Sequence, residues 1–322
     1  MTRLGLLSTA DINGAILAAS NASDRVEVVA VASRDAAKAE AYARTRGIPA
    51  AYGSYDALLG DPHVEAVYVS LPNALHVEWT LRALQAGKHV LCEKPLSGDP
   101  ARVEAVFDVA ESRGLVCMEA LMWRHHPQTR RLAALVAEGA IGELRLVRAA
   151  FSHPLYDQPQ HVRTRADLDG GSLMDLGCYC ISALRLLAGE PTSVSAFRVL
   201  GPTGVDERFS ATLAFPGQVL GLLDSGFDLV ARGEIEVLGA HGSIRAEDPW
   251  EGLRPRLTLQ RGEHVEAIEF EPVDHYRLEL EDLDRAIRGE GGALLGRADA
   301  IGQARTIAAL TRAAGLGRAV SP

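Results

Sequence analysis

The first part of the chain alternates short apolar runs with helix-like segments, and this alternation constrains the fold more than any other feature. Apolar runs at 4–8, 26–33 and 66–71 are separated by segments such as 35–46, which is rich in alanine and charge and ends at Gly47. Strands alternating with helices of about 10–15 residues are typical of βαβ units with parallel strands. The pattern predicts a doubly wound parallel sheet of the Rossmann type over 1–122.

The pattern changes after residue 122. A helix is expected over 127–138, a strand over 144–152 and a long helix over 170–188, and strand-like segments dominate from 194 to 270. Apolar residues alternate with polar ones in 208–215, which indicates a sheet with one buried face. The sequence predicts an α/β protein whose second domain, 123–322, is α+β with an open, mostly antiparallel sheet. The last helix, about 297–314, is expected to pack back on the N-terminal domain.

Composition excludes several classes of partner. The net charge is -9, whereas proteins that bind nucleic acid need a basic face. No uninterrupted apolar stretch approaches the roughly 20 residues of a membrane span, so no membrane partner is expected. The four cysteines show no C-x-x-C spacing and the histidines no H-x-x-x-H spacing, so free thiols, a cytoplasmic location and no metal site are expected.

Glu93, Lys94 and Pro95 follow the apolar run 90–92 directly. In an open α/β sheet, ligands bind at the carboxyl ends of the strands. A lysine buried there has a lowered pKa and can take part in catalysis. The alternative is a strand end followed by a helix with proline in its first turn, in which Glu93 and Lys94 are ordinary surface charges.

The turn after the first strand carries Ser8, Ala10 and Asn13 where a dinucleotide fingerprint has glycines. The motif itself is therefore absent. Small residues at positions 8 and 10 still let the backbone approach a pyrophosphate, the hydroxyls of Ser8 and Thr9 add donors, and a helix N-terminus follows. An ordinary strand–helix turn is equally compatible with this segment.

The second strand ends at Ser33 and Arg34, and Lys38 lies one turn into the next helix. An arginine at this place suits the 2′-phosphate of NADP, whereas an acidic residue suits the 2′-hydroxyl of NAD. Asp35 would be that acidic residue if the strand ended one position later. The sequence favours NADP over NAD.

A second cluster reads Gly170-Gly171-Ser-Leu-Met-Asp175-Leu-Gly177-Cys-Tyr179. Asp175 and Tyr179 are four residues apart and share one face of a helix. An ammonium group nearby, such as that of Lys94, would stabilise the phenolate and make Tyr179 a general acid or base. Alternatively, these are an acidic residue in a first helical turn and a packing tyrosine.

The two clusters, in this order, resemble those of the Gfo/Idh/MocA oxidoreductases, and the resemblance extends over essentially the whole chain. Arg124, His125 and the neighbouring 119–127 stretch, together with the segments at Ser8, Ser33 and Tyr179, resemble the branch of NADP-dependent aldose 1-dehydrogenases and dimeric dihydrodiol dehydrogenases. The resemblance implies a Rossmann domain, a second domain with an open sheet that often forms a dimer, and a cis Lys94–Pro95 bond.

The resemblance also implies roles for individual residues. Lys94, Tyr179 and Asp175 would be catalytic, with Tyr179 as proton donor or acceptor. The cofactor would be contacted by Ser8, Thr9, Ala10 and Ile12 at the pyrophosphate, by Ser33, Arg34 and Lys38 at the 2′-phosphate, by Leu71, Pro72, Asn73 and His76 along the groove, by Glu93 and Lys94 at the nicotinamide ribose, and by Arg124 and Arg163 at the border with the substrate.

These roles imply an NADP-dependent sugar or polyol oxidoreductase with a small carbohydrate as its substrate. It is expected to be a homo-oligomer, either a dimer or a tetramer. One alternative is a ketoreductase that acts on a nucleotide-activated keto-sugar. An alternative of a different class is a sensor that binds NADP without turnover, against which the presence of both Lys94 and Tyr179 argues.

Overall fold

The computed structural model describes residues 1–155, 158 and 161–322, which form two compact units. The first unit is Met1–Met122 together with Asp274–Ile301, and the second is Trp123–Val273 together with Gly302–Pro322. The second unit therefore differs from the expected second domain, 123–322, in one segment, because Asp274–Ile301 belongs to the first unit. The expected last helix likewise begins in the first unit and continues in the second.

The first unit contains a six-stranded parallel sheet of order β3-β2-β1-β4-β5-β6, as expected of a doubly wound fold. Its strands and helices are β1 Thr2–Leu7, α1 Asn13–Asn21, β2 Val26–Ala32, α2 Ala36–Arg46, β3 Ala50–Tyr52, α3 Tyr55–Leu59, β4 Ala66–Val69, α4 His76–Gln85, β5 His89–Glu93, α5 Pro100–Ser112, β6 Cys117–Ala120 and, late in the chain, α8 His275–Ile287.

Local sequence explains most of these elements. Strand β2 is a β-branched apolar run, and strand β4 is buried along its whole length, as parallel strands covered on both faces require. Helix α2 begins where the Asp35 carboxylate accepts from the backbone N–H of Lys38, and it ends at Gly47 in the left-handed conformation. Strand β3 was not expected from the sequence.

The strand order places β1 beside β4, so the chain leaves these neighbouring strands toward opposite edges of the sheet. Such a reversal opens a crevice at the carboxyl ends of the strands. Ser8, Ser33, Ser70 and Lys94 each lie directly after or close to one of these strand ends. The topology therefore brings the predicted cofactor segments to one end of the sheet.

The second unit contains an eight-stranded sheet of order β14-β13-β12-β11-β7-β10-β9-β8, in which only the β10–β7 pair is parallel. Its strands and helices are α6 Pro127–Ala137, β7 Leu144–Ser152, α7 Cys178–Ala188, β8 Ser193–Leu200, β9 Asp206–Ala214, β10 Leu220–Gly226, β11 Arg232–Gly239, β12 Ser243–Glu247, β13 Arg256–Arg261, β14 His264–Glu269 and most of α9 Arg297–Leu316. The predicted fold class is confirmed.

The helix expected from residue 170 begins later and differently. A π-helical turn, Leu173–Gly177, leads into α7. Gly171 lies outside the turn, with a φ of 124°, which a residue with a side chain rarely adopts. The pair of glycines therefore ends the preceding loop instead of opening the helix.

One face of the sheet carries exposed apolar side chains at the β8 end. Phe197 is 73% exposed and Leu220 is 48% exposed. An exposed apolar sheet surface is typical of an interface. The homo-oligomeric state stays a prediction.

One helical segment of the described chain, Ala166–Ala188, is long and apolar enough to cross a membrane by length and composition alone. Of its most apolar window, 83% is buried inside the protein. That degree of burial is typical of a core helix.

Helix α8 is tied to the start of the chain by a cluster of polar contacts. The hydroxyl of Thr2 donates to Asp284 at 2.7 Å, and the guanidinium of Arg25 lies 2.8 Å from the same carboxylate. Burial raises the pKa of Asp284, but hydrogen bonds from Thr2 and Arg25 outweigh it, so the pKa lies below its usual value. Asp284 thus stabilises the first unit as an ionised acceptor.

We predict that Asp284→Ala lowers the melting temperature by about 5–10 °C at pH 7, because a buried ion pair loses one partner. The lowered pKa means that Asp284 stabilises the fold above the unfolded value of 3.8 and that this contribution is lost as the pH falls below it. Thermal melts at pH 7 and at acid pH test both statements. Glu290→Ala, which removes the exposed partner of Arg25, is the control and should change the melting temperature little. An equal effect of both variants would contradict the prediction.

Candidate active site

Lys94 stands at the end of β5 in a turn that several buried groups hold. The Lys94–Pro95 bond is cis, as predicted. The backbone N–H of Leu96 donates to Glu119 on β6 at 2.8 Å, and Glu119 is only 2% exposed. Lys94 itself is half-buried. The turn therefore presents the ammonium group from a supported backbone.

Glu93 receives hydrogen bonds on both carboxylate oxygens. The hydroxyl of Tyr68 on β4 donates to Oε1, and the backbone N–H of Lys94 donates to Oε2 at 3.3 Å. Tyr68 is fully buried, and Glu93 is half-buried. These donors hold the carboxylate that was predicted to contact the nicotinamide ribose.

His76 is fully buried at the start of α4, and both of its ring nitrogens contact backbone oxygens. Nδ1 lies 2.8 Å from the carbonyl of Pro95, and Nε2 lies 2.7 Å from the carbonyl of Leu71. The side chain thus joins the loop after β4 to the turn after β5. Its predicted place along the cofactor groove stays a prediction, and the structure shows in addition that it is buried and supports both turns. Pro72 and Asn73, in the same loop after β4, are half-buried.

In the turn after β1, the side chain of Ser8 forms hydrogen bonds within the protein. Its hydroxyl donates to the carbonyl of Ser70 at 2.9 Å and accepts from the backbone N–H of Ala10 at 3.0 Å. The hydroxyl predicted to serve a pyrophosphate thus links β1 to the end of β4. Helix α1 starts without a side-chain cap and without an acidic residue in its first turn. Thr9, Ala10 and Ile12 are half-buried there.

Arg34 lies just after β2 and is exposed, and Lys38 in the first turn of α2 is also exposed. Asp35 caps α2 by accepting from the backbone N–H of Lys38 at 3.2 Å, and its own N–H donates to Ser33 Oγ at 3.3 Å. Its carboxylate is thereby engaged in starting the helix. The arrangement favours Arg34 over Asp35 as the residue that faces a ribose substituent.

The second unit carries Asp175 and Tyr179 on the π-helical turn and the first turn of α7. Asp175 is mostly buried, and its Oδ2 lies 3.1 Å from Nε of Arg163. The ring of Tyr179 packs edge-to-face on Phe151, with centroids 5.2 Å apart, and on Trp250 at 5.8 Å. These contacts orient the phenol ring. Arg163 therefore contacts the predicted catalytic carboxylate directly.

Arg124 is buried in the second unit, and its Nη1 donates to Ser182 on α7 at 3.0 Å. Ser182 lies three residues after Tyr179, nearly one helical turn on. Arg124 was predicted to border the cofactor or substrate, and the structure shows that it also supports the helix that carries Tyr179.

Asp206 at the start of β9 was not foreseen from the sequence. Its Oδ2 accepts from the hydroxyl of Ser172 at 2.8 Å and from the backbone N–H of Leu173 at 2.7 Å. A Cβ on Gly171 would collide with its Oδ1. Burial raises the pKa of this carboxyl, and the two donors oppose that rise. Asp206 thus holds the start of the turn that carries Asp175.

Gly170, the residue before Gly171, also allows a close backbone approach. A Cβ on Gly170 would collide with the carbonyl oxygens of Arg163 and Arg165. The backbone N–H of Gly171 donates to the carbonyl of Arg163 at 2.9 Å. The glycine pair therefore lets the loop that carries Arg163 lie directly against the turn that carries Asp175.

We predict that Asp206→Ala lowers the melting temperature by about 5–10 °C, because two buried donors lose their acceptor. Asp206→Asn should cost clearly less, since its carbonyl oxygen can still accept. Differential scanning calorimetry compares the two variants. Asp224→Ala, which breaks a surface pair with Arg232, is the control for the loss of an aspartate from the same sheet. Equal losses in the alanine and asparagine variants would show that Asp206 does not act as an acceptor.

Neither metal nor thiol chemistry has support among the residues that the structure describes. No group of three or more His, Cys, Asp and Glu side chains in this part of the chain could hold a metal ion. The four cysteines are free and buried, and burial raises the pKa of the Cys117 thiol to about 12. A thiol so difficult to ionise is a poor nucleophile.

The predicted site residues thus fall into two groups, each held within its own unit. Lys94, Glu93 and the cofactor segments belong to the first unit, and Asp175, Tyr179, Arg124 and Arg163 belong to the second. The approach of Lys94 to Tyr179 stays a prediction.

Comparison with known proteins gives matches to both units. Residues 11–121 match the GFO/IDH/MocA oxidoreductase family with its NAD-binding Rossmann fold, and residues 129–245 match a GFO/IDH/MocA C-terminal domain. The chain is 40% identical to D-xylose 1-dehydrogenase (NADP(+)) 2 of Haloferax volcanii over 98% of each protein. It is 42% identical to dTDP-3,4-didehydro-2,6-dideoxy-alpha-D-glucose 3-reductase of Streptomyces violaceoruber, over 82% of this chain and 79% of that enzyme.

A solved structure agrees with these matches. A 3-ketoreductase from Actinomadura kijaniata, in complex with NADP and TDP-benzene, superposes with a TM-score of 0.91 at 33% identity over 97% of each chain. Variants of the same ketoreductase, with one tyrosine or one lysine replaced, have also been solved. With both units matched and relatives aligned over nearly their full length, the chain belongs to the GFO/IDH/MocA oxidoreductase family.

Proposed function

We propose that this chain is an NADP-dependent oxidoreductase that transfers a hydride between the nicotinamide and a sugar or polyol carbon bearing a hydroxyl or carbonyl group. The observation that carries the proposal is the Lys94 turn at the carboxyl end of β5, which Glu119 and His76 hold beside the reversal in strand order. Ligands bind at such points in doubly wound sheets. The named activities of the relatives, which are sugar dehydrogenases and reductases, support the same chemistry.

The first unit fits a dinucleotide with a 2′-phosphate. Helix α1 lacks a side-chain cap and an acidic first turn, which suits an anion at its N-terminus. Arg34 and Lys38 are exposed beside this site, whereas Asp35 is engaged as a helix cap. Two relatives are named for NADP or solved with it. NADP is therefore proposed over NAD.

When bound, NADP would supply or accept the hydride. In the oxidative direction Tyr179 takes the proton of the substrate hydroxyl, and the ammonium of Lys94 stabilises the developing negative charge on that oxygen. Asp175, held by Arg163, accepts from a neighbouring substrate hydroxyl. Binding of the substrate in one orientation toward these groups would lower the entropic part of the barrier.

A second candidate is the reduction of a keto group on a nucleotide-activated sugar. The 42% identity to a dTDP-keto-sugar 3-reductase and the structural match to a 3-ketoreductase favour it. NADP reduction with a panel of free aldoses, set against NADPH oxidation with nucleotide-linked keto-sugars, separates the two candidates. Binding of NADP without turnover on either panel would favour the sensor.

We predict that Lys94→Ala lowers kcat by at least about 100-fold and changes the NADP Kd by less than about threefold, because the ammonium acts mainly on charge that develops in the transition state. Tyr179→Phe should lower kcat by a similar factor. Steady-state kinetics and cofactor fluorescence titration give the two quantities. Arg102→Ala, an exposed change on the next helix, is the control. An unchanged kcat in Lys94→Ala would contradict the assignment.

We predict that Arg34→Ala raises the NADP Kd by about 30-fold, because a charge-assisted contact to the 2′-phosphate is lost. The NAD Kd should change by less than about threefold. Titration calorimetry with both cofactors measures the ratio, and Arg44→Ala, an exposed change at the end of α2, is the matched control. An equal loss for NADP and NAD would show that Arg34 does not read the 2′-phosphate.

A further inference from the structure

Glu279 on α8 is a buried acid that the proposed chemistry does not use. It is 1% exposed, and neither of its carboxylate oxygens has a hydrogen-bond partner among the described residues. An ionised carboxylate buried without donors is strongly unfavourable, so the group takes up a proton. Burial raises the pKa of Glu279 well above its usual value, and the nearby Glu93 and Asp282 raise it further.

Glu93 belongs to the same unit as Glu279 and interacts with it electrostatically, but it has the opposite environment. It receives the hydroxyl of Tyr68 on one oxygen and the backbone N–H of Lys94 on the other. Donors on both oxygens favour the ionised form. Burial, and then the charge of Glu93, raise the pKa of Tyr68 well above its usual value, so Tyr68 remains a neutral donor.

Two interacting carboxyl groups of which one is fully buried do not both ionise without a large cost in free energy, and the one with donors keeps the charge. The single proton therefore belongs to Glu279, and the single charge belongs to Glu93. Among the described residues, the other titratable groups near this pair include Tyr276 and Asp282 on α8, Cys92 on β5 and Lys94 directly after Glu93. Asp282 is already paired, because it accepts from the backbone N–H of Leu294 at 2.9 Å and from Arg285 at 3.2 Å.

We propose that Tyr68 and Glu279 are positioning residues that hold Glu93 as an oriented, ionised acceptor for a hydroxyl of the bound dinucleotide. Tyr68 acts through its hydrogen bond, and Glu279 acts by staying neutral beside Glu93. The inference rests on the proposed function only for the identity of the ligand. It assigns roles to a strand residue and to a helix residue more than 180 positions from Glu93 in the sequence.

The NADP Kd, measured by fluorescence between pH 5 and pH 9, tests the role of Tyr68. In Tyr68→Phe the Kd should rise about fivefold at pH 7.5, because Glu93 loses one of the two hydrogen bonds that orient it while its own contact with the ligand remains. As the pH is lowered, the affinity for NADP should begin to fall at a higher pH in the variant than in the wild type, because the Glu93 carboxylate has lost a donor that favoured its ionised form. Tyr52→Phe, which removes a similar tyrosine–carboxylate bond to Asp61, is the matched control.

Glu279→Gln tests the position of the proton. The pKa of Glu279 is higher in the folded state than the unfolded value of 4.5. Glu279 therefore does not lower the free energy of unfolding below pH 4.5, and it lowers this free energy increasingly as the pH rises above 4.5. The melting temperature of the glutamine variant should therefore rise relative to that of the wild type, and this relative gain should grow from pH 5 to pH 8. Glu281→Gln on the same helix, which loses an ion pair with Arg277, should show no such growth.

These outcomes separate the inference from the proposed function. Superimposable pH profiles of Kd for Tyr68→Phe and the wild type would overturn the positioning role, even if the variant melts earlier. A gain in Glu279→Gln that does not grow with pH would show that Glu279 is not held neutral, and would also overturn it. A wild-type protein that binds NADP with the expected variant effects but turns over no alcohol or ketone would refute the proposed function and leave the inference standing.

Discussion

The hydrogen bonds that hold the turn after β5 are the constraint on which the rest of the candidate site depends. Glu119 on β6 fixes Leu96, His76 on α4 joins Pro95 to Leu71, and Tyr68 on β4 holds Glu93. Each of these groups is buried, where a hydrogen bond left unmade is costly. The turn is thereby tied to both neighbouring strands, and the position of Lys94 follows from the sheet instead of from a mobile loop.

In the second unit, buried hydrogen bonds likewise hold the turn that carries Asp175. Asp206 holds the start of the π-helical turn, and the bare backbone at Gly170 and Gly171 lets two loops pack against it. Arg163 then reaches Asp175 from the adjoining loop. A Cβ at Gly170 would meet the carbonyl oxygens of Arg163 and Arg165, and a Cβ at Gly171 would meet the carboxylate of Asp206. The glycine pair of the motif is therefore needed for close packing, and at Gly171 also for the backbone conformation.

Sequence patterns predicted most of the fold, because the strands of the first unit are continuous apolar runs and the strands of the second alternate. Strand β7 lies at its predicted bounds. Strand β3 was missed since its three residues carry no pattern and become a strand only by pairing with β2. The position of the Lys94 turn at the end of a strand could be predicted from the sequence around Glu93 and Pro95. The supporting groups were not, because Asp206 and Glu279 meet their neighbours only after the chain has folded back.

The distribution of buried acids explains why an acidic protein can serve an anionic cofactor. The chain carries a net charge of -9, yet among the acids at the carboxyl ends of the strands Asp35 caps a helix and Glu119 accepts a backbone donor. Glu279 holds a proton instead of a charge under the inference above. Glu93 lies next to Lys94, while Arg34 and Lys38 stay exposed at the end of β2. The local field is therefore set by the placement of protons and caps, and not by the overall charge of the chain.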